Sequence, residues 1–159
     1  MKLVVDTNIV ISGLLHRRRI HDLLFYRQDL ELYAPRLLFE ELGGHSGKIS
    51  RLTTLTPRET QVLVNRILPK RINVVPEETY REKLTRALEI LGDVDLGDAP
   101  FVALAMFLGV PLWTGDKGLL VLSAETGEYI AVDTEGVELL LSGEPLDNVL
   151  ERMRRKYLK

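Results

Sequence analysis

Met1-Lys2-Leu3-Val4-Val5-Asp6-Thr7-Asn8 is the stretch that decides the fold. Leu3, Val4 and Val5 form a short apolar run, rich in β-branched residues, that stops at three polar ones. Such a run suits a strand buried on both faces, as in parallel sheets. Asp6 stands where that strand ends, and ligands of open α/β sheets bind outside the carboxyl ends of the strands. Asp6 is therefore a candidate functional group. The competing reading is that it only caps the next helix, and this stretch alone does not choose between them.

Outward from Asp6, residues 9–15 read as a short helix lying on the sheet, and residues 20–26 as a second. Between them His16-Arg17-Arg18-Arg19 is a basic loop or an exposed helix end, solvated like most charge runs. His16 and His21 have no third ligand in view, so they read as surface or phosphate-contacting residues rather than a metal site. Leu30 to Ala34 is a second strand, and Pro35 suits the first position of a helix. Leu38, Leu42, His45, Ile49 and Leu52 recur at helical spacing as one buried stripe. Glu41 falls roughly 60–70° from the centre of that stripe, and Glu40 nearly opposite it. Glu41 is thus expected at the edge of the core, facing a cleft, and Glu40 in solvent. Gly43-Gly44 bends or ends that helix.

Thr56-Pro57-Arg58-Glu59 is a capped helix start, with the helix expected to reach about Leu68 and stop at Pro69. Residues 72–75 form a third strand. Pro76-Glu77-Glu78 opens a helix to about Leu91, with Leu84, Leu88 and Leu91 on one side. An acidic loop containing Asp95 leads to Asp98-Ala99-Pro100, the start of a helix that ends at Gly109. Residues 110–114 form a strand followed by Gly115-Asp116-Lys117, so Asp116 repeats the position of Asp6. Residues 129–132 form a last strand, Asp133 caps a helix through Leu141, and residues 146–158 form an amphipathic helix. Its closing Arg154-Arg155-Lys156 suits the helix dipole. Short strands alternating with helices imply an α/β fold around a mainly parallel sheet.

The chain has 159 residues, enough for one domain with a real core. It contains no cysteine, which excludes disulfides, thiolate metal sites and cysteine nucleophiles. Its net charge of −2 argues against a generally basic nucleic-acid binder, so nucleic-acid contact would rely on local basic patches. No apolar run approaches a membrane span, and Asp6 comes too early for a signal peptide. A cytoplasmic location without membrane association is the expectation.

Four acids stand out by position: Asp6 and Asp116 at strand ends, Glu41 on a helix flank and Asp98 at a helix start. Each alone has a structural reading, since Asp98 can cap and Asp116 can close a turn. Converged carboxylates repel unless a cation neutralises them. An all-oxygen cluster suits a hard divalent ion, Mg²⁺ or Mn²⁺, which supports phosphoryl chemistry.

Val4-Val5-Asp6-Thr7-Asn8, residues 34–41 (Ala-Pro-Arg-Leu-Leu-Phe-Glu-Glu), residues 98–105 (Asp-Ala-Pro-Phe-Val-Ala-Leu-Ala) and Thr114-Gly115-Asp116 together resemble the successive motifs of PIN domains. The resemblance runs from the N-terminus to about residue 122. It implies a three-layer α/β/α sandwich and a metal-dependent endoribonuclease, in many prokaryotic members a toxin paired with an antitoxin that occludes the site. Carried over by position, Asp6, Glu41, Asp98 and Asp116 would be the catalytic and metal-binding quartet. Asp95 would be a supplementary acid, and Thr7, Asn8 and Thr114 would orient ligands or water. Arg17, Arg18, Arg19 and Lys117 are candidates to contact the RNA backbone. Residues 1–132 would form the nuclease domain. Residues 133–159 match no motif and would be a helical extension packed on it, serving a homodimer or a partner. The rival readings are a housekeeping RNA-processing nuclease, a non-catalytic binding or dimerisation module, a phosphotransferase with Asp6 as nucleophile, and cleavage of DNA rather than RNA.

Overall fold

The computed structural model describes residues 1–15 and 17–159. Strands β1 (Lys2–Val5), β2 (Glu31–Pro35), β3 (Ile72–Val75), β4 (Leu112–Trp113) and β5 (Ala131–Val132) form one sheet in the order β3-β2-β1-β4-β5. Every neighbouring pair is parallel: Val4 stands opposite Tyr33 of β2 on one side and Leu112 of β4 on the other. Leu3, Val4 and Val5 are completely buried, as a central strand of a covered sheet requires. Because β1 is followed by β2 on one side and flanked by β4 on the other, the winding reverses between β1 and β4. That gap is the topological switch point of the sheet.

Helices α1 (Thr7–Leu14) and α2 (Arg18–Tyr26) connect β1 to β2. From β2 to β3 run α3 (Leu37–Gly44), α4 (Ser46–Leu52), α5 (Pro57–Val62), a π-helical segment (Leu63–Ile67) and α6 (Leu68–Arg71). The crossover from β3 to β4 is made by α7 (Glu77–Leu91), a 3₁₀ turn (Leu96–Asp98) and α8 (Ala99–Leu108). Then α9 (Lys117–Thr126) leads to β5, and α10 (Thr134–Leu141) and α11 (Leu146–Tyr157) close the chain. Right-handed crossovers place helices on both faces of such a sheet, giving the α/β/α sandwich. Helix α8 is largely enclosed, with Ala99, Phe101, Val102, Ala103, Leu104 and Ala105 all buried, and it packs on β1, β2 and α7. Gly109 ends it in the left-handed conformation at φ +66°, where a side chain would be strained.

Several local expectations are corrected. Pro35 is the last residue of β2, and α3 begins only at Leu37. His45 separates α3 from α4, so the stripe narrows to Leu38, Leu42 and Ile49, leaving His45 and Leu52 exposed. The helix capped by Thr56, whose hydroxyl accepts from the Glu59 amide at 3.1 Å, does not stop at Pro69. It loosens into the π-helical segment, and Pro69 then opens the first turn of α6, where its missing N–H costs nothing. On α7 the buried residues are Tyr80, Ala87 and Leu91, while Leu88 is exposed. The last two strands pair over two residues each rather than the longer runs read from the sequence.

Helix α11 packs on α9 and α10 and buries Val149 and Met153. Its C-terminal end is tied to Asp133, which is buried and caps α10 through the Gly136 amide at 2.8 Å. Asp133 also accepts from Lys156 Nζ at 2.6 Å and from the Tyr157 hydroxyl at 2.7 Å. Burial pushes this carboxyl up, but the bonds from Lys156, Gly136 and Tyr157 outweigh it and hold Asp133 below its ordinary value.

Candidate active site

Asp6 leaves the end of β1 at the switch point. Its amide donates to the Trp113 carbonyl of β4 at 3.0 Å, so the two strand ends are bolted side by side. Asp6 occupies the N-cap position of α1, yet its carboxylate makes no capping hydrogen bond. Its Oδ2 instead accepts from the Thr114 hydroxyl at 2.7 Å, across the switch point. The same hydroxyl oxygen accepts from the Asp116 amide at 3.0 Å. Thr114 is completely buried and therefore links the two strand-end acids through one atom. Asp116 is half-buried and caps α9, accepting from the Leu119 amide at 3.0 Å.

Glu41 comes from the middle of α3. It is half-buried while Glu40 is exposed. Its Oε1 accepts from the hydroxyl of buried Thr7, at 3.1 Å. Asp98 stands at the start of α8, half-buried, with no capping bond of its own. Asp95 is exposed and caps the 3₁₀ turn through the Gly97 amide at 2.9 Å.

These acids feel one another. Burial raises the Asp6 carboxyl from its ordinary value, with Asp116 adding to the rise, while the bond from Thr114 and the nearby amides of Thr7 and Asn8 oppose it. Burial also raises Glu41, the Thr7 bond opposes the rise, and Asp6 and Asp95 add to it. Asp98 is pushed up to about 7, by burial first and then by Asp6, Asp95, Asp116 and Glu41. The quartet thus converges from four separate elements on one end of the sheet. As a donor set it is all-oxygen and strongly acidic, which fits a hard divalent cation in kind. Among the described residues no three His, Cys, Asp or Glu groups stand close enough to grip an ion. Closing a ligand set therefore requires side-chain movement.

Beside the acids lies an open groove of about 600 Å³ lined by Asn8, Ser12, Arg17, Arg19, Asp116, Glu135 and Lys156, among others. Arg19 is held by Glu138 of α10 through a two-point ion pair. Arg18 and Lys117 are exposed on α2 and α9 and are not among the described lining residues of that groove. His16 lies outside the described residues. His21 is not a free phosphate contact: its Nδ1 meets the Gly13 carbonyl at 2.9 Å and its ring packs on Phe25. The sequence reading left Asp133, Glu135 and Lys156 out of this region. Asp133 directly follows β5 as Asp6 follows β1, and that strand-end signal was available.

A profile of the PIN domain family matches residues 4–151. The chain is a PIN-domain protein. The match continues past residue 122, where the recognisable motifs end, and into α11. As a family, PIN domains are nucleases that generally use divalent metal ions. No curated protein matches the sequence. Among solved structures, this PIN domain shares its fold with VapBC2 from Rickettsia felis, bound to a DNA fragment from their promoter. The TM-score is 0.59 at 14% identity, over 84% of this chain and 98% of that one. VapBC-1 from nontypeable Haemophilus influenzae aligns at 0.58 and 18% identity, over 85% and 99% of the two chains. FitAcB from Neisseria gonorrhoeae aligns at 0.58 and 17%, over 84% and 98%. At such identities the likeness concerns the fold.

Proposed function

We propose that this PIN domain is a metal-dependent endoribonuclease in which Asp6, Glu41, Asp98 and Asp116 hold Mg²⁺ or Mn²⁺ and carry the chemistry. The observation that supports it most is the electrostatic convergence of the four acids at the switch point of the sheet, with Asp98 raised to about 7. When bound, a hard divalent ion lowers the pKa of its water and neutralises charge on the attacking and leaving oxygens of a phosphodiester. The chain's own part is to fix geometry. Thr114 holds Asp6 and the Asp116 backbone in one register, and Thr7 fixes the rotamer of Glu41. Such outer partners orient ligands and hold them ready. Asn8 lines the groove with Asp116 and would bond a water or a substrate oxygen. Arg17 and Arg19 line the same groove and supply positive charge toward a phosphate backbone, and Asp95 is a reserve acid at the rim. Arg18 and Lys117 would act only from outside it.

An antitoxin partner belongs to the same reading, supported by the fold shared with VapBC2, VapBC-1 and FitAcB. An open, largely apolar groove of about 430 Å³ between Leu14 and Phe25 on one side and Leu55, Leu63 and Ile67 on the other offers an apolar segment a seat. A cytoplasmic site of action belongs to the same reading, supported by the fold shared with bacterial VapBC2, VapBC-1 and FitAcB.

End-labelled single-stranded RNA incubated with the protein in Mg²⁺, in Mn²⁺ or in EDTA tests the proposal. Endonucleolytic products that require metal are expected. Intact RNA in all three, or equal cutting in EDTA, overturns it, and cutting of DNA alone would move the substrate class.

A further inference from the structure

Some cations of this chain are held in ion pairs, while others, Arg18 and Lys117 included, have no ion-pair partner among the described residues. Those on α11 are all engaged: Arg154 and Arg155 pair with Glu151 at 3.9 and 3.1 Å, and Lys156 pairs with Asp133 at 2.6 Å. The arm from α4 to α6 is different. Between Lys48 and Arg71 the sequence carries six cations against one acid, Glu59, in a chain whose net charge is −2. Only Arg71 is used internally, donating to the backbone carbonyls of Leu30 and Arg27 at 2.7 and 2.9 Å. Lys48, Arg51, Arg58, Arg66 and Lys70 are exposed, and among the described residues none of them has an ion-pair or hydrogen-bond partner for its side chain.

A solvated patch would account for scattered charges, but this one is patterned. Arg58, Gln61, Val62, Asn65 and Arg66 follow helical spacing along α5 and the π-helical segment and line one shallow depression of about 250 Å³. Two guanidinium forks with side-chain amides between them match a run of phosphates and sugars. Guanidinium binds phosphate oxygens in pairs, and amides both donate and accept. The arm is also joined to the acids: α3, which carries Glu41, packs on both α4 and the π-helical segment.

We infer that the α4–α6 arm is a second nucleic-acid contact, gripping the backbone of a single-stranded RNA through Arg58 and Arg66 beyond the cleavage site. The inference rests on the ribonuclease reading for its substrate, but its test is a binding measurement that needs no cleavage. Counterion release gives a slope of about −0.7 per phosphate contact for single strands. Two contacts therefore change the salt slope by about 1.4. They carry roughly 25-fold in affinity between about 1 M and about 0.1 M salt.

The full chain in EDTA is titrated against a fluorescein-labelled, mixed-sequence single-stranded RNA of roughly 20 nucleotides, read by anisotropy over a range of KCl concentrations. Arg58→Ala/Arg66→Ala should bind on the order of 10-fold more weakly or worse at low salt, with the shallower slope. Arg58→Lys/Arg66→Lys should keep most of the slope, and the charge-matched control Arg154→Ala/Arg155→Ala should keep both affinity and slope. Circular dichroism melting confirms that each variant is folded. Unchanged affinity and slope in Arg58→Ala/Arg66→Ala overturns the inference, as does an equal loss in the control. Arg-dependent binding of poly-glutamate in place of RNA also overturns it, by assigning the arm to an acidic protein. RNA that binds in EDTA but is never cut in Mn²⁺ refutes the nuclease reading and leaves the arm standing. RNA that is cut, with affinity unaltered in Arg58→Ala/Arg66→Ala, refutes the arm alone.

Discussion

Replacing Asp98 with Asn removes a charge that the fold resists. Burial and the neighbouring Asp6, Asp95, Asp116 and Glu41 raise the Asp98 carboxyl to about 7. The folded protein therefore keeps a proton that the unfolded chain surrenders near the ordinary Asp value of about 3.9. A raised carboxyl favours folding at low pH, and its contribution is lost as pH rises through about 7. The full linkage over that interval corresponds to about 4 kcal/mol. Asp98 is only half-buried, and solvent screening reduces the expected effect to about 2 kcal/mol. For a chain of this size that is a gain of about 4–8 °C in Tm for Asp98→Asn at about pH 8. At about pH 4 the wild-type carboxyl is already neutral in the folded state, and the gain should vanish. The assay is thermal unfolding by circular dichroism in EDTA at both pH values, alongside RNA cleavage in Mn²⁺. The variant should be more stable at the higher pH and inactive. A gain of equal size at both pH values, or a loss at pH 8, would show that burial and the neighbouring acids do not hold the Asp98 carboxyl up.

Three further outcomes follow from the same geometry. Thr114→Val strands the Asp116 amide and removes a donor from buried Asp6, so stability should fall by about 1–3 kcal/mol in urea melts. Cleavage should fall by about 10–100-fold, and Thr114→Ser should restore most of both. Metal binding must displace a proton from Asp98, so Mn²⁺ affinity measured by calorimetry should rise with pH through about 7 and then level off; a flat profile from pH 6 to 8 would remove Asp98 from the ligand set. Lys156→Met leaves the Asp133 carboxylate with the Tyr157 hydroxyl and the Gly136 amide but without its bonded cation, and should lower Tm in thermal melts; an unchanged Tm would show that this ion pair does not anchor α11.

Local signals carried the sequence reading a long way at β1, β3 and α8. There an apolar run, a β-branched run bounded by Pro76, and a Pro-to-Gly bracketed helix each have one cheap conformation. Pro35 and Pro69 misled for the same local reason: proline suits a first helical turn, but it equally suits the end of an edge-proximal strand or a restart after a loosened turn. Leu88 and His45 fell on the apolar stripe by spacing alone, and only the packing partner decides which side of a helix is covered. The site was half legible. Asp6 and Asp116 announce themselves as strand-end acids. That their strands are neighbours at the switch point depends on sheet order, a property of contacts more than 100 residues apart in sequence. The Thr114 bridge could not be read for the same reason, and the Thr7–Glu41 bond and the groove wall from Glu135 and Lys156 depend on how separate helices pack.

The four carboxylates at one end of the sheet are proposed to form a divalent-metal site centred on Asp6. Isothermal titration of Mn²⁺ into the wild-type protein and into Asp6→Asn, both first stripped with EDTA, tests it most directly. Saturable binding of one or two ions to the wild type is expected, with no specific heat for the variant, which should remain folded because the amide can still accept from Thr114. Equal binding isotherms for the two proteins would contradict the proposal.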